Sequence, residues 1–263
     1  MPEGRSDAEM DTVELINPQG AGPALLLCEH AANHIPARYD GLGLSARARD
    51  SHAAWDPGAR DVALALSRAL DAPLVAGRVS RLVYDCNRPP EAASATPEKS
   101  ELVEVPGNRD LAPEARAERV ETVYRPFCAA VSAAIADRRA RNLPTVLITV
   151  HSFTPVYYGQ PRETEIGILH DTESRLADAM LERASTLPNR RIARNDPYGP
   201  EDGVTHSLKL HGIANGLPNV MIELRNDLIA DASAVAAMVE DLMALIAPAL
   251  DALASPGGKT AHA

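Results

Sequence analysis

The chain has 263 residues, a formal charge of −10 and an apolar fraction of 45%, with aromatic residues at only 3%. This length suits one large domain or two small ones, and the apolar fraction is enough for a sizeable core. The acidic balance argues against nucleic acid as the main partner, because neutralising phosphates takes clustered Lys and Arg. A charged surface that keeps the protein soluble is the simpler interpretation of the excess acid.

Strand and helix patterns alternate along the chain, which is typical of an α/β domain. We expect loose segments at residues 1–20 and 255–263 around a single α/β hydrolase domain at residues 21–254. Strands are predicted near residues 23–28, 73–76, 81–85, 145–150, 165–169 and 219–224, and helices at residues 58–71, 113–141, 172–187 and 231–254. Pro126 should kink or split the second of these helices, and residues 88–112 should form a long loop.

The cysteines and the apolar runs indicate the cellular compartment. The three cysteines Cys28, Cys86 and Cys128 are widely spaced and form no CxxC pair, so neither a finger-type zinc site nor a disulfide framework is predicted. Such cysteine usage fits a reducing cytosol. The first twenty residues contain no apolar stretch, and no apolar run approaches the length that spans a bilayer. We therefore expect a cytoplasmic protein without a membrane partner.

Two predicted strands end in a histidine. The apolar run at residues 24–28 is followed by Glu29 and His30, and the run at residues 148–150 leads directly into His151. Either histidine alone is compatible with a loop or capping role. Because ligands of open α/β sheets collect at the carboxyl ends of the strands, the two together predict a metal site.

Asp56 and Pro57 stand directly before the helix predicted at residues 58–71. One interpretation makes Asp56 the N-cap of that helix, with Pro57 at its first position. The other makes Asp56 a third, oxygen ligand of zinc. The sequence leaves both interpretations open.

Polar residues also follow two further predicted strands. Arg81 begins the strand predicted at residues 81–85 and the pair Asn87-Arg88 follows it, and they indicate either surface salt bridges or bidentate recognition of a substrate carboxylate. Glu223 ends an apolar run, where a carboxylate is costly unless it is paired or used. It predicts either an ion pair with Arg225 or another arginine, or a general base beside a metal.

No glycine-rich dinucleotide motif, P-loop, GxSxG elbow or HExxH helix is present, so those enzyme classes lack support. Five segments in chain order instead resemble the N-formylglutamate amidohydrolase family. They are CEHAAN at residues 28–33, HAAWDPGA at 52–59, SRLV with DCNRP at 80–83 and 85–89, VHSFTP at 150–155, and ELRND at 223–227. The resemblance implies a zinc-carboxypeptidase-like (phosphorylase/hydrolase-like) α/β fold, with a mixed, mainly parallel central sheet flanked by helices.

The same resemblance implies an activity and a cofactor. The activity is hydrolysis of N-formyl-L-glutamate to formate and L-glutamate, with one zinc ion, in histidine degradation. The expected partner is a small N-acyl amino acid that carries carboxylates, and the protein should be a monomer or a small homo-oligomer. Alternatives are a deacylase that acts on a different N-acyl amino acid or amide, and a non-catalytic carboxylate-binding protein of the same fold.

The resemblance also suggests site residues. The expected metal ligands are His30, Asp56 and His151. In the more distantly similar aspartoacylase-type deacylases a glutamate ligand stands where this chain has Asn33, so Asp56 or Glu29 should supply the missing oxygen.

The remaining site residues are expected to act on the substrate. Glu223 is the expected general base and His211 the group that stabilises the oxyanion. Arg88 with Asn87 should hold one substrate carboxylate, and Arg81 or Arg225 the other.

Overall fold

A seven-stranded mixed sheet lies at the centre of the computed structural model, which describes residues 11–255. Its strands are β1 (Val13–Ile16), β2 (Ala24–Cys28), β3 (Leu74–Gly77), β4 (Val146–Phe153), β5 (Ile166–Leu169), β6 (Ile192–Arg194) and β7 (Asn219–Arg225). Their spatial order is β1-β3-β2-β4-β7-β5-β6. Neighbouring strands β3, β2, β4 and β7 are parallel to one another, and β5 is parallel to β6. Strand β1 is antiparallel to β3, and β5 is antiparallel to β7. The predicted mixed, mainly parallel sheet is confirmed.

The central strands are buried along their length. Every residue of β2 and β4 is buried, and so is all of β7 except Arg225. Near-continuous apolar runs of this kind suit strands that are covered on both faces, because each face packs against helices. Alternate residues point to opposite sides, so that Leu26 and Ile148 enter one core while Leu25 and Leu147 enter the other.

The described residues form six α-helices: α1 (Ala46–Asp50), α2 (Ala59–Ala69), α3 (Pro113–Arg119), α4 (Arg125–Ala140), α5 (Arg175–Leu181) and α6 (Ala232–Ala254). Helices α2, α5 and α6 share one core, to which they contribute Leu66, Met180 and Leu242. Helix α4 packs on the opposite face through Phe127 and Val131. The result is a helix–sheet–helix arrangement that leaves the carboxyl ends of β2, β4 and β7 side by side.

Helix α6 differs from the sequence-based expectation about apolar runs. By length and composition alone it could cross a membrane, although no run of that kind was expected. In the structure it packs against α2 and α5, and its buried side chains include Met238, Leu242 and Leu245. Helix α6 is therefore part of the core, and its apolar face is explained by that packing.

The helix predicted at residues 113–141 is split, as Pro126 suggested. Helix α3 gives way to a π-helical turn at Val120–Tyr124, and α4 starts again at Arg125. Proline lacks a backbone N–H and its ring clashes with the carbonyl four residues earlier, so a wider turn just before Pro126 relieves both problems.

Other boundaries also differ from the predictions. The helix expected at residues 172–187 is limited to α5 with a 3₁₀ turn at Ala184–Thr186. Strand β6 was not predicted, and neither was β1, which lies within the first twenty residues, where a loose segment was expected. The expected loop at 88–112 is largely irregular and contains a small hairpin of Lys99–Ser100 and Val103–Glu104. The terminal predictions for residues 1–10 and 256–263 lie outside the described residues.

The prediction of a strand at residues 81–85 is wrong. This segment forms turns, and the backbone N–H of Arg81 bonds to the carbonyl of Ala54 at 3.2 Å instead of joining a strand. Its polar side chains make long-range contacts, described below, that a flat strand could not provide.

Candidate active site

Three buried side chains meet at the carboxyl ends of β2 and β4. The Nδ1 atoms of His30 and His151 lie 3.2 Å and 2.9 Å from Oδ2 of Asp56, and 3.3 Å from each other. All three residues are almost fully buried. The structure thus brings together the three residues that the sequence suggested as metal ligands.

The fold explains why these side chains meet. Strands β2 and β4 are parallel neighbours, and Leu27 pairs with Thr149, so His30, just after β2, and His151, near the end of β4, lie at the same edge. The backbone N–H of Asp56 bonds to the carbonyl of His30 at 3.0 Å, which holds the segment before α2 against this edge. The N–H of Ser152 also donates to Oδ2 of Asp56, at 3.3 Å.

The capping interpretation of Asp56 is not supported. Helix α2 begins at Ala59, and its N-cap is Gly58 in the left-handed conformation, with φ of 80°. A Cβ atom on Gly58 would lie 2.6 Å from the carbonyl oxygen of Ile229, so only glycine fits there. The Asp56 carboxylate faces the histidines instead.

Each histidine has a carboxylate on its outer side. Nε2 of His30 lies 2.7 Å from Asp85 Oδ1, and Nε2 of His151 lies 3.2 Å from Glu29 Oε2. A carboxylate on the outer nitrogen favours a proton there, which leaves the Nδ1 lone pair facing inward. Two lone pairs and a carboxylate oxygen then converge in a buried space, where either a proton or a metal cation between them offsets their repulsion. The donor set therefore fits a divalent metal ion such as zinc.

Glu29, the alternative oxygen ligand, lies behind His151 and outside the group of converging atoms. Asn33 takes no part either. Its side-chain amide donates to the Arg49 carbonyl at 3.1 Å and to the Asp50 carboxylate at 3.3 Å. Asp56 is accordingly the carboxylate that shares the inner face with the two histidines.

Arg81 lines the site but is already paired. Its guanidinium lies 3.3 Å from Asp56 Oδ1 and 2.7 Å from Asp85 Oδ2, so that it bridges the two buried carboxylates. Despite burial, the two histidine–carboxylate contacts and this arginine keep the pKa of Asp85 and of Asp56 below the usual range. The expectation that Arg81 binds a substrate carboxylate is therefore not supported by its contacts.

Asn87 and Arg88 differ in how much hydrogen-bonding capacity remains. The Asn87 amide donates to the Val204 carbonyl at 2.6 Å and accepts from the Ser207 N–H at 2.9 Å, which ties two loops together. Arg88 donates to the Asn87 carbonyl at 2.8 Å. Within residues 11–255 it has no carboxylate at ion-pair distance, so its charge is available to a ligand.

Glu223 lies on β7, where it pairs in register with His151 on β4. Its side chain lines the same cavity and is only 6% exposed, and no hydrogen bond or ion pair satisfies it among the described residues. Burial raises the pKa of this carboxyl to about 7. The alternative of an ion pair with Arg225 is wrong, because that guanidinium lies 2.9 Å from Asp227.

The cavity around these groups has a volume of about 170 Å³. Its wall includes His30, Asp56, His151, Glu223 and Arg88. Three aromatic rings also line it: Phe153, Tyr157 and Tyr198. A proton acceptor, a cation site and a free arginine thus face one small space, which is an arrangement suited to hydrolysis of an anionic substrate.

Two predicted site residues lie outside this cavity. His211 is buried in the turn Leu208–Gly212, where burial lowers its pKa to about 4, and it does not reach the wall. Arg225 donates to the carbonyl of Arg162 at 3.2 Å and pairs with Asp227. The expected roles of His211 at the oxyanion and of Arg225 at a substrate carboxylate are corrected accordingly.

The structure also adds residues that the sequence did not single out. Asp85 belongs to the segment DCNRP that resembles the family. Its place in the sequence between Arg81 and Asn87, two predicted substrate-binding residues, was the signal that could have identified it. Tyr198 and Arg162 have no such signal, because each comes from an irregular stretch whose pattern is unremarkable.

Comparison with known proteins identifies the family and the fold of the chain. The family model for N-formylglutamate amidohydrolase matches residues 22–230. The crystal structure of gene product Atu2144 from Agrobacterium tumefaciens is 53% identical, with a TM-score of 0.92 over 95% of this chain and 99% of its own. N-formylglutamate amidohydrolase from Ralstonia eutropha JMP134 is 20% identical and shares the fold, with a TM-score of 0.67 over 92% and 98% of the two chains. No curated protein shows significant similarity. The chain therefore belongs to the N-formylglutamate amidohydrolase family, whose members hydrolyse an amide bond.

Proposed function

We propose that this protein is a metal-dependent amidohydrolase that converts N-formyl-L-glutamate, or a closely related N-acyl amino acid, and water into a carboxylic acid and the free amino acid. The observation that carries the proposal is the convergence of three buried ligand atoms from His30, Asp56 and His151. Glu223, an unpaired carboxylate, lies at the next strand end. The family match and the name of the Ralstonia eutropha protein support formylglutamate as the substrate.

His30, Asp56 and His151 would hold one zinc ion. Two imidazole nitrogens and one carboxylate oxygen are a frequent ligand set of catalytic zinc, which leaves one position open. Zinc bound there supplies a Lewis acid, which polarises the acyl carbonyl and lowers the pKa of water. Asp85, which is hydrogen-bonded to Nε2 of His30 at 2.7 Å, would orient that imidazole, and the Glu29 carboxylate lies 3.2 Å from Nε2 of His151.

Glu223 would move the proton. The water oxygen forms a bond to the acyl carbon, and Glu223 accepts the proton that this water loses. When the C–N bond breaks, the same carboxyl returns the proton to the leaving nitrogen. A pKa of about 7 suits both steps, because the group accepts and releases a proton near neutral pH.

Arg88 should recognise the side-chain carboxylate of the substrate. We expect Arg88→Gln to raise KM for N-formyl-L-glutamate about 10- to 100-fold, the loss typical of one hydrogen bond to a charged group. KM for N-formyl-L-glutamine, which has the same shape without the charge, should change much less. Arg141→Gln, just beyond the end of α4 and outside the cavity, is the matched control. Equal effects on the two substrates would remove Arg88 from the carboxylate site.

Asp85 should strengthen zinc binding through His30. We expect Asp85→Asn to weaken zinc affinity about 10- to 100-fold, because a second-sphere carboxylate raises ligand basicity and fixes the ring. Competition with a chromogenic chelator measures this directly. Asp137→Asn, on the outer face of α4, is the control. Unchanged affinity in a folded Asp85→Asn protein would contradict the role.

The substrate is tested by a small panel with the zinc-loaded full chain. Release of formate from N-formyl-L-glutamate should exceed release from N-formyl-L-glutamine and from N-formyl-L-alanine. Faster cleavage of N-acetyl-L-glutamate would instead support the alternative of a deacylase with a different acyl group. A protein that binds zinc but cleaves none of these compounds would contradict the proposed function.

A further inference from the structure

The hydroxyl of Tyr198 has an unused proton. Tyr198 lines the cavity together with Glu223 and His151. The guanidinium of Arg162 donates a hydrogen bond to the Tyr198 oxygen at 2.9 Å. Because an arginine N–H can only donate, the tyrosine oxygen accepts, and its own O–H remains free to donate elsewhere. No acceptor for that O–H occurs among residues 11–255, and because Tyr198 lines the cavity, the O–H can donate to a ligand bound there.

Contacts with its neighbours hold the Arg162 guanidinium beside the Tyr198 hydroxyl. Its guanidinium lies 5.5 Å, 4.3 Å and 4.7 Å from the ring centres of Phe153, Tyr157 and Tyr198. In the described part of the chain it has no carboxylate at ion-pair distance. Its backbone N–H donates to the Pro155 carbonyl at 2.8 Å, and Arg225 donates to its backbone carbonyl at 3.2 Å. Arg225 therefore anchors Arg162 rather than binding substrate.

We infer that Tyr198 donates a hydrogen bond to the acyl oxygen of the substrate as negative charge develops there, with Arg162 as its positioning residue. The inference rests on the proposed amide hydrolysis and replaces His211, which lies outside the cavity, as the group that stabilises the oxyanion. A donor already aimed at the reacting oxygen is worth more in a buried site than in water, because it needs no reorganisation.

The chemistry of the phenol agrees with a donor role. Burial, together with the nearby Glu223 carboxylate, raises the pKa of Tyr198 to about 12, although Arg162 opposes this. The hydroxyl therefore keeps its proton throughout the neutral range. Tyr198 is available as a hydrogen-bond donor at every pH at which Glu223 can act as a base.

Tyr198→Phe tests the inference, because it removes one oxygen and keeps the ring under Arg162. With the zinc-loaded enzyme and the best substrate of the panel, kcat should fall about 100- to 1000-fold, the usual effect of removing one oxyanion donor. KM and zinc content should stay within about threefold of the wild type, as expected for an interaction made only in the transition state. Tyr158→Phe removes the same atom from a tyrosine that is 56% exposed and lies outside the cavity, so it should leave kcat unchanged.

Arg162 variants test the positioning role. Arg162→Met should lower kcat with little change in KM, and Arg162→Lys should restore part of the loss because it keeps a cationic donor. Identical losses in the two variants would overturn the positioning role.

Three results for Tyr198→Phe would overturn the inference: an unchanged kcat and KM, a raised KM at unchanged kcat, or a fall in kcat that only follows lost zinc. If the wild type itself cleaves no member of the panel, the proposed function fails and this inference fails with it. That result is distinct from the other three, in which the wild type is active.

Discussion

Glu223→Gln should bind zinc like the wild type but release formate about 100 to 10,000 times more slowly, the range typical of a lost general base. Glutamine has nearly the same shape, but its amide cannot accept the proton of the attacking water. The position is buried and has no hydrogen-bonding partner among the described residues, so the substitution breaks no existing contact. Steady-state formate release and zinc content of the same preparation measure both parts of the prediction.

The control and the pH profile make the base assignment specific. Glu240→Gln, on the exposed side of α6, should leave both quantities unchanged. In the wild type, kcat/KM should fall as the pH decreases through an acid limb, because Glu223 becomes protonated and can no longer act as a base. Burial places that pKa at about 7 before a cation is bound, and a cation favours the ionised form, so the limb should lie at or below pH 7. An active glutamine variant, or an unchanged acid limb in it, would remove Glu223 from this role.

His151→Ala should abolish stoichiometric zinc binding and reduce formate release to the background rate. The substitution removes one of three inner ligand atoms, and two remaining ligands bind zinc far more weakly than three. Zinc content after dialysis and formate release are the measurements. His170→Ala is the control, since that ring bonds to the Asp171 carbonyl away from the cavity.

His151→Ala also has a predictable effect on stability. Glu29 is fully buried, and its contact with His151 lowers the pKa of its carboxyl to about 2 despite burial. Removing the imidazole leaves this charge unpaired, which typically costs about 3–5 kcal/mol. His151→Gln retains an N–H group near Glu29, so it should be more stable than the alanine variant while losing zinc equally. Retention of zinc by the folded glutamine variant would show that His151 is not a ligand.

The sequence was sufficient for the parts of the fold that have a strong local pattern. Strands β2, β4 and β7 are near-continuous apolar runs, and such runs are recognisable because both faces of a central strand are buried. Since parallel neighbours end at one edge of the sheet, the groups at or near their carboxyl ends, His30, His151 and Glu223, could be placed together without coordinates.

Residues positioned by long-range contacts were harder to predict. The role of Asp56 depended on its backbone hydrogen bond to His30, which joins residues 26 positions apart. Arg81 and Asp85 belong to a segment that resembles a strand, yet they form part of the buried network around His30. His211 was predicted to lie in the site and does not. It is buried in the turn Leu208–Gly212 and does not line the cavity.

Tyr198 and Arg162 lie beyond local prediction for the same reason. They are 36 positions apart, and neither stands at a strand end or in a segment of recognisable pattern. Only the folded chain shows that the hydroxyl of one is bonded to the guanidinium of the other beside the reacting groups.

Zinc dependence is tested most directly by two measurements on the purified full chain: its metal content, and formate release from N-formyl-L-glutamate. Both are made before chelation, after chelation and after zinc is added back. We expect about one zinc per chain, loss of formate release on chelation and recovery on re-addition, as the three inner ligands require. Full formate release from the metal-free protein would contradict a metal-dependent mechanism at His30, Asp56 and His151.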